Sequence, residues 1–113
     1  MADKVTHFEV HGKDGKRLQQ FYASLFGWSV DANNPMQYGM VSPEPGGIGG
    51  GIAQSASPMV TFYVAVADPA AALKKVERLG GKTVMTPHDV PGGPQIAQFA
   101  DTEGNVIGLV KGT

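Results

Sequence analysis

The stretch Val5–Trp28, VTHFEVHGKDGKRLQQFYASLFGW, and the later stretch Val60–Lys82, VTFYVAVADPAAALKKVERLGGK, together decide the fold of this chain. Each runs through an alternating strand, an acidic helix start, an amphipathic helix and a glycine-marked end. Asp14 and Asp68 occupy matching helix-start positions. Because one copy of about 55 residues cannot bury its own sheet face, we expect two copies to enclose a concave site.

The composition restricts the class of protein. The length of 113 residues predicts a single domain, with half-modules at about 4–54 and 59–112. The net charge of −1, without a basic stripe, argues against a nucleic-acid partner. No apolar run is long enough to cross a bilayer, so we expect a cytoplasmic protein without a membrane partner. Cysteine is absent, which excludes disulfides, thiolate nucleophiles and cysteine-based zinc sites.

The hydrophobic periodicity predicts the order βαβββ in each half and therefore an α+β fold. Capping carboxylates at Asp14 and Asp68 begin two helices, which end at Gly27 and Gly80. Strands are predicted at Lys4–His11, Trp28–Asp31, Met36–Val41, Ile48–Gln54, Met59–Val66, Thr83–Thr86, Gln95–Ala100 and Val106–Lys111. A turn-rich loop is predicted at His88–Pro94, and a hairpin turn at Asp101–Asn105.

Six segments carry a resemblance to a known family: His7–Val10, Phe21-Tyr22, Phe26–Trp28, Val66–Asp68, Leu79–Gly81 and Asp101–Leu109. In their order and spacing they resemble the vicinal oxygen chelate superfamily, which includes glyoxalase I, extradiol dioxygenases, fosfomycin-modifying enzymes and bleomycin-binding resistance proteins. The resemblance covers nearly the whole chain, although the family usually has proline where Thr102 stands. It implies two βαβββ modules with a shared concave sheet cavity, the glyoxalase/bleomycin-resistance/dioxygenase fold.

The resemblance also implies metal ligands on the first and fourth strands of each half. His7 matches the first of them, but its counterpart Thr61 is a poor ligand. Gly108 stands where the family usually has glutamate, and Gly49–Ala53 contains no carboxylate or imidazole. Because a transition metal needs at least three protein ligands, we expect the inherited metal site to be lost. We therefore predict no metal and no cofactor.

Three polar side chains of the first strand, His7, Glu9 and His11, face the same way. An enclosed Glu9 carboxylate, with His7 beside it, is the candidate general acid or base. The alternative is that Glu9 bonds to a neighbouring tyrosine, glutamine or backbone group and only fixes the sheet. His11 either lies in water at the end of the strand or joins the other two in an unusual metal site.

Five further residues are candidate ligand contacts. Thr61 and Tyr63 are expected to face the interior from the second half, and small Gly108 is expected to leave room for a guest. Trp28 and Phe99 would add aromatic surface. The alternative for Tyr63 and Trp28 is ordinary core packing.

The preferred hypothesis is a metal-independent glyoxalase-like protein that binds a small organic molecule in the cavity between its modules. If it is an enzyme, Glu9 and His7 transfer protons in a lyase- or isomerase-like reaction. The alternatives are a drug-sequestering resistance protein and a metal-dependent lyase or dioxygenase of the same superfamily. A homodimer is expected, while the identity of the ligand does not follow from the sequence.

Overall fold

The computed structural model describes residues 2–112, in which the order βαβββ occurs twice, as predicted. The first half contains β1 (Lys4–Gly12), α1 (Gly15–Phe26), β2 (Val30–Asp31), β3 (Gly39–Val41) and β4 (Gly49–Gln54). The second half contains β5 (Met59–Val66), α2 (Pro69–Arg78), β6 (Lys82–Asp89), β7 (Gln95–Ala100) and β8 (Val106–Lys111). The chain divides into two compact units, residues 6–61 and residues 62–112 with 2–5.

The unit of residues 6–61 is a mixed sheet with the strand order β2-β3-β4-β1. Strand β1 runs parallel to β4, with Glu9 opposite Gly51 and Phe8 opposite Gly50. The β2–β3 and β3–β4 pairs are antiparallel, and Met40 also lies opposite Gly51. Gly51 therefore lies between β1 and β3, directly beside Glu9.

Helix α1 begins and ends where its capping residues predict. The Asp14 carboxylate accepts a hydrogen bond of 3.1 Å from the Arg17 amide. Gly27 adopts a left-handed φ of 71°, and its N–H donates to the Ala23 carbonyl at 2.9 Å. This is the expected C-terminal cap, because glycine has no Cβ to oppose a positive φ.

An aromatic cluster packs between α1 and the face of β1 opposite to Glu9. Phe8 contacts Trp28 with ring centroids 5.2 Å apart, and Trp28 lies 5.7 Å from Tyr22 and 5.0 Å from Phe26. The predicted alternation along β1 is therefore confirmed, since Phe8 points to the helix side. The apolar stripe of α1 is only partly covered, because Phe21 and Leu25 are each more than half exposed.

The unit that contains residues 62–112 has the strand order β5-β8-β7-β6, with β5 parallel to β8 and the other pairs antiparallel. Its helix α2 begins at Pro69 after Asp68, whose carboxylate accepts from the Ala70 amide at 3.0 Å and the Ala71 amide at 3.3 Å. The buried core between α2 and the sheet consists of Val66, Leu73, Ala97 and Leu109.

Two predicted boundaries in this unit have different outcomes. The Asp101–Asn105 turn is confirmed, with the Asp101 carboxylate accepting from the Glu103 and Asn105 amides and from the Asn105 side chain. The predicted loop His88–Pro94 is wrong at its start, because β6 continues to Asp89 by pairing with β7. Neither described helix has the length and apolar character needed to cross a membrane.

Candidate functional site

Four polar side chains in the unit of residues 6–61 form one connected group, here called the Glu9 cluster. It consists of His7, Glu9 and His11 from β1 and Tyr38 from the segment before β3. The Tyr38 hydroxyl donates to Glu9 Oε2 at 2.8 Å and lies 2.8 Å from His7 Nε2. His11 Nε2 lies 2.6 Å from Glu9 Oε1. The cluster therefore links two imidazoles and a phenol around one carboxylate.

The backbone of β1 explains why three of these side chains are neighbours. Residues two apart on a strand point to the same face, so His7, Glu9 and His11 share one side of the sheet. Glu9 is 8% exposed and is one of the two buried polar or charged residues of the described chain. A carboxylate this deeply buried needs partners, and the cluster supplies a donor to each of its oxygens.

Tyr38 is held in place through its own backbone. The Asn34 side chain accepts from the Tyr38 amide at 2.9 Å and donates to the Tyr38 carbonyl at 2.7 Å. Gln19 of α1 donates to the Gln37 carbonyl at 3.1 Å and to the Ile52 carbonyl at 2.8 Å. These bonds tie the segment before β3 to α1 and β4, so the position of the phenol is set by several elements.

Gly51 makes room for the phenol. A Cβ at this position would overlap the Tyr38 hydroxyl and the adjacent ring carbons. Gly51 also lies directly opposite Glu9 on β4, so the ring crosses β4 at the one place that brings its hydroxyl to the carboxylate. Strand β4 therefore accommodates the Tyr38 ring against Gly51 on one face, while the Phe8 ring covers Gly50 on the other face.

The electrostatics of the cluster favour a neutral His7. Burial lowers the pKa of His7 from its ordinary value of 6.5, and the negative charge of Glu9 partly opposes this shift. The His7 and Tyr38 rings lie 6.3 Å apart, inclined by 13°. His7 is thus an uncharged hydrogen-bonding group at neutral pH, suited to exchanging a proton with a partner.

The prediction that His7 and Glu9 are neighbours is confirmed in geometry, whereas their catalytic role stays a prediction. The alternative in which Glu9 bonds to a tyrosine is also present, because Tyr38 is that residue. The expectation that His11 simply lies in water is wrong, since its ring reaches Glu9 at 2.6 Å. The role of Tyr38 was not predicted. The sequence signal that could have indicated it is a tyrosine just before β3, which pairs with the glycine-rich strand β4.

In the other unit, Tyr63 and Gly108 form a related pair. Tyr63 is 6% exposed and lies opposite Gly108 in the β5–β8 register. A Cβ at Gly108 would overlap the Tyr63 ring. The space that Gly108 was expected to leave open is therefore filled by this ring, and a ligand contact at either residue stays a prediction.

The three remaining candidate contacts are placed as follows. Thr61 is buried at 5% exposure, so it is a second enclosed polar side chain on β5. Trp28 lies in the aromatic cluster against Phe8, which matches its alternative role in the core. Phe99 packs against the α2 core, next to Ala97. These placements favour packing for Trp28 and Phe99, and their contact with a ligand stays a prediction.

The metal site that the resemblance implies does not fit these residues. A side chain at Gly108 or Gly51 would have to displace a tyrosine ring. Within the described residues, no three histidine, aspartate or glutamate side chains are grouped closely enough to hold a metal ion. His7 and Glu9 are instead joined through the Tyr38 hydroxyl, which lies within hydrogen-bonding distance of both.

Comparison with known proteins agrees with this architecture. The model of the glyoxalase-like domain family matches residues 7–110. The anthracycline biosynthesis protein DnrV of Streptomyces peucetius is 31% identical over 117 residues, covering 86% of this chain and 42% of DnrV. This chain spans 41–42% of the length of the curated relatives it matches.

Solved structures share the fold at low identity. Methylmalonyl-CoA epimerase from Mycobacterium tuberculosis has a TM-score of 0.72 at 13% identity, covering 96% of this chain and 87% of the other. The Mn(II)-bound glyoxalase from Novosphingobium aromaticivorans has a TM-score of 0.68 at 17% identity, covering 97% and 40%. The chain therefore belongs to the glyoxalase-like domain family and has the fold of the vicinal oxygen chelate superfamily.

Proposed function

We propose that this glyoxalase-like domain binds a small organic molecule and transfers a proton on it by acid–base chemistry of Glu9 and His7. The observation that carries the proposal is the Glu9 cluster, in which a nearly buried carboxylate is linked to two imidazoles and a phenol by contacts of 2.6–2.8 Å. Enclosed, hydrogen-bonded titratable groups of this kind are common at sites of general acid–base catalysis.

The substrate class that suits the cluster is a compound with an acidic C–H next to a carbonyl group. The cluster contains groups able to accept and return a proton but no arrangement typical of an activated nucleophile. The neighbour from Mycobacterium tuberculosis is named as an epimerase, and epimerisation of this kind removes and returns a proton. Its identity of 13% supports only the fold, so this substrate class is our proposal from the chemistry of the cluster.

The test separates binding from turnover. Proton transfer is followed by NMR in D2O, as loss of the C–H signal from a panel of small carbonyl compounds. Glu9→Gln keeps the shape of the site, so it should lower the exchange rate by about 10²–10⁴-fold while the affinity stays within a few-fold. Glu44→Gln removes an exposed carboxylate from the same unit and is the matched control. Equal rates for wild type and Glu9→Gln would disprove the proposal.

We also propose that this chemistry needs no metal ion. The support is that tyrosine rings occupy the space beside Gly51 and Gly108, and that no three histidine, aspartate or glutamate side chains of the described residues are grouped so that they could hold an ion. Metal analysis of protein purified without chelators tests this directly. A stoichiometric transition metal that is lost in His7→Ala would favour the metal-dependent lyase or dioxygenase alternative.

A second candidate function is sequestration of a planar aromatic compound without turnover. The relative DnrV, which is 31% identical and is named for anthracycline biosynthesis, suggests the class of compound to test. Fluorescence titration with an anthracycline distinguishes the two functions. Binding that is unchanged in Glu9→Gln, with no proton exchange in wild type for any carbonyl compound, would support sequestration.

The homodimer is retained as a proposal, together with a cytoplasmic location. Phe21, Leu25 and Phe26 of α1 are each more than half exposed, which is a large apolar area for a free surface. The curated relatives are more than twice as long as the matched region, which leaves room for a second module in them. Light scattering at micromolar concentration should give the dimer mass, and the double variant Phe21→Ser, Leu25→Ser should give the monomer.

A further inference from the structure

The donors and acceptors of the Glu9 cluster have a fixed order. Tyr38 Oη donates its only proton to Glu9 Oε2 at 2.8 Å. The contact of 2.8 Å between His7 Nε2 and Tyr38 Oη then needs a proton from the imidazole, because a phenol has a single O–H. Neutral His7 is therefore the tautomer that carries its proton on Nε2, with the basic lone pair on Nδ1.

We propose that Tyr38 is a relay residue, which passes a proton taken up by His7 on to Glu9. This inference rests on the proposed proton transfer and assigns it a third residue. His7 Nδ1 accepts the substrate proton, and the electrons of the broken C–H bond remain on the substrate as an enolate. His7 Nε2–H passes its proton to Tyr38 Oη while Tyr38 passes its own to Glu9 Oε2. His7 and Tyr38 end neutral, and Glu9 ends as the neutral acid.

The relay explains why a partly buried histidine is coupled to a carboxylate through a hydroxyl. Burial disfavours the imidazolium form, as the lowered pKa of His7 indicates, so a proton held on His7 alone would be unstable. Transfer to Glu9 removes that positive charge and cancels the negative charge of the carboxylate in the same step. The reverse order of transfers returns a proton to the substrate, which gives the C–H exchange that the D2O assay follows.

His11 gives this relay a route to solvent. Its Nε2 lies 2.6 Å from Glu9 Oε1, the carboxylate oxygen that Tyr38 does not use. The His11 side chain is 18% exposed and that of Glu9 is 11% exposed, so His11 is the more open end of the pair. Glu9 is thus the most buried member of the cluster, with Tyr38 and His7 on one side of it and His11 on the other.

The first test does not depend on a substrate. Nitrogen-15 NMR of histidine-labelled protein reports which ring nitrogen of each histidine carries the proton. At neutral pH the wild type should show His7 as a single Nε2–H tautomer. Tyr38→Phe removes the acceptor and should give His7 a mixture of tautomers, whereas Tyr22→Phe, which removes a hydroxyl from α1, should leave the signal unchanged. An Nδ1–H tautomer in wild type would overturn the relay, even if Tyr38→Phe did not fold.

The second test distinguishes the relay from the proposed function. In the D2O exchange assay, Tyr38→Phe should lower the rate by at least about 10-fold with little change in KM, because proton transfer and not binding is affected. If Glu9→Gln is inactive but Tyr38→Phe retains the wild-type rate, the relay is wrong and the proposed function stands. If Glu9→Gln retains the wild-type rate, the proposed function itself fails.

Discussion

Gly51→Ala adds one methyl group at the point where the Tyr38 phenol crosses β4. The added carbon would overlap the hydroxyl of Tyr38, so the ring must leave its position. That movement breaks the bond from Tyr38 to Glu9 and the bond between Tyr38 and His7, each 2.8 Å long. The variant therefore tests whether glycine is needed at this position to make room for the Tyr38 ring or only to form the strand.

The expected cost follows from these contacts. Overpacking of a filled site costs about 1–3 kcal/mol, and each lost hydrogen bond costs about 1 kcal/mol. Replacing glycine by alanine also makes the unfolded chain less flexible, which stabilises the folded state by about 0.4–1 kcal/mol. The free energy of unfolding should therefore fall by about 2–5 kcal/mol. At that size, the transition midpoint should move clearly to lower urea concentration.

Urea unfolding of four proteins gives the answer: wild type, Gly51→Ala, Tyr38→Ala and the double variant. In the Tyr38→Ala background the clash is absent, so Gly51→Ala should cost less than about 0.5 kcal/mol. Gly47→Ala is the matched control, because its Cβ would only reach ordinary contact with the Glu44 carbonyl at 3.5 Å. An equal cost of Gly51→Ala with and without the Tyr38 ring would refute the reasoning.

Three further predictions concern the rest of the chain. Gly108→Ala should lower the free energy of unfolding in urea by about 1–3 kcal/mol, because its Cβ would overlap the Tyr63 ring. Gly112→Ala should leave it nearly unchanged, because its Cβ would lie 3.6 Å from the Ala65 Cβ, in ordinary contact. Asp68→Ala should lower the free energy of unfolding by about 1 kcal/mol because it removes the N-terminal cap of α2, whereas Asp68→Asn should retain most of the stability. Because the pKa of His7 is lowered in the folded state, the unfolded chain binds more protons below pH 6.5, and the free energy of unfolding should fall as the pH drops from 6.5 towards the folded-state pKa. His7→Gln should make this part of the stability profile shallower. An unchanged profile would contradict the lowered pKa of His7.

Local signals explain why the helices and the order of elements were predictable. Asp14 and Gly27 begin and end α1 through bonds to residues three or four positions away, so the signal lies within a few residues. The alternation along β1 likewise placed Phe8 and Glu9 on opposite faces. The course of β6 depended on pairing with β7, and the turn-forming residues around His88 did not reveal it.

The site was predictable only where one strand supplied it. The shared face of His7 and Glu9 follows from their spacing, and this part of the cluster was predicted. Tyr38 was missed because its place depends on Gln19 of α1 and Gly51 of β4, which are distant in sequence, as well as on the nearby Asn34. The glycines of β4 leave room for rings on both faces, but the sequence does not indicate that Tyr38 and Phe8 fill it.

The central claim is that the Glu9 cluster moves a proton without help from a metal ion. The most direct measurement is the D2O exchange rate of protein dialysed against a strong chelator and checked for metal content, with Glu9→Gln beside it. We predict a rate equal to that of undialysed protein, far less than one metal ion per chain, and loss of exchange in Glu9→Gln. Loss of exchange on dialysis that one equivalent of Mn²⁺ or another divalent metal restores would contradict the account.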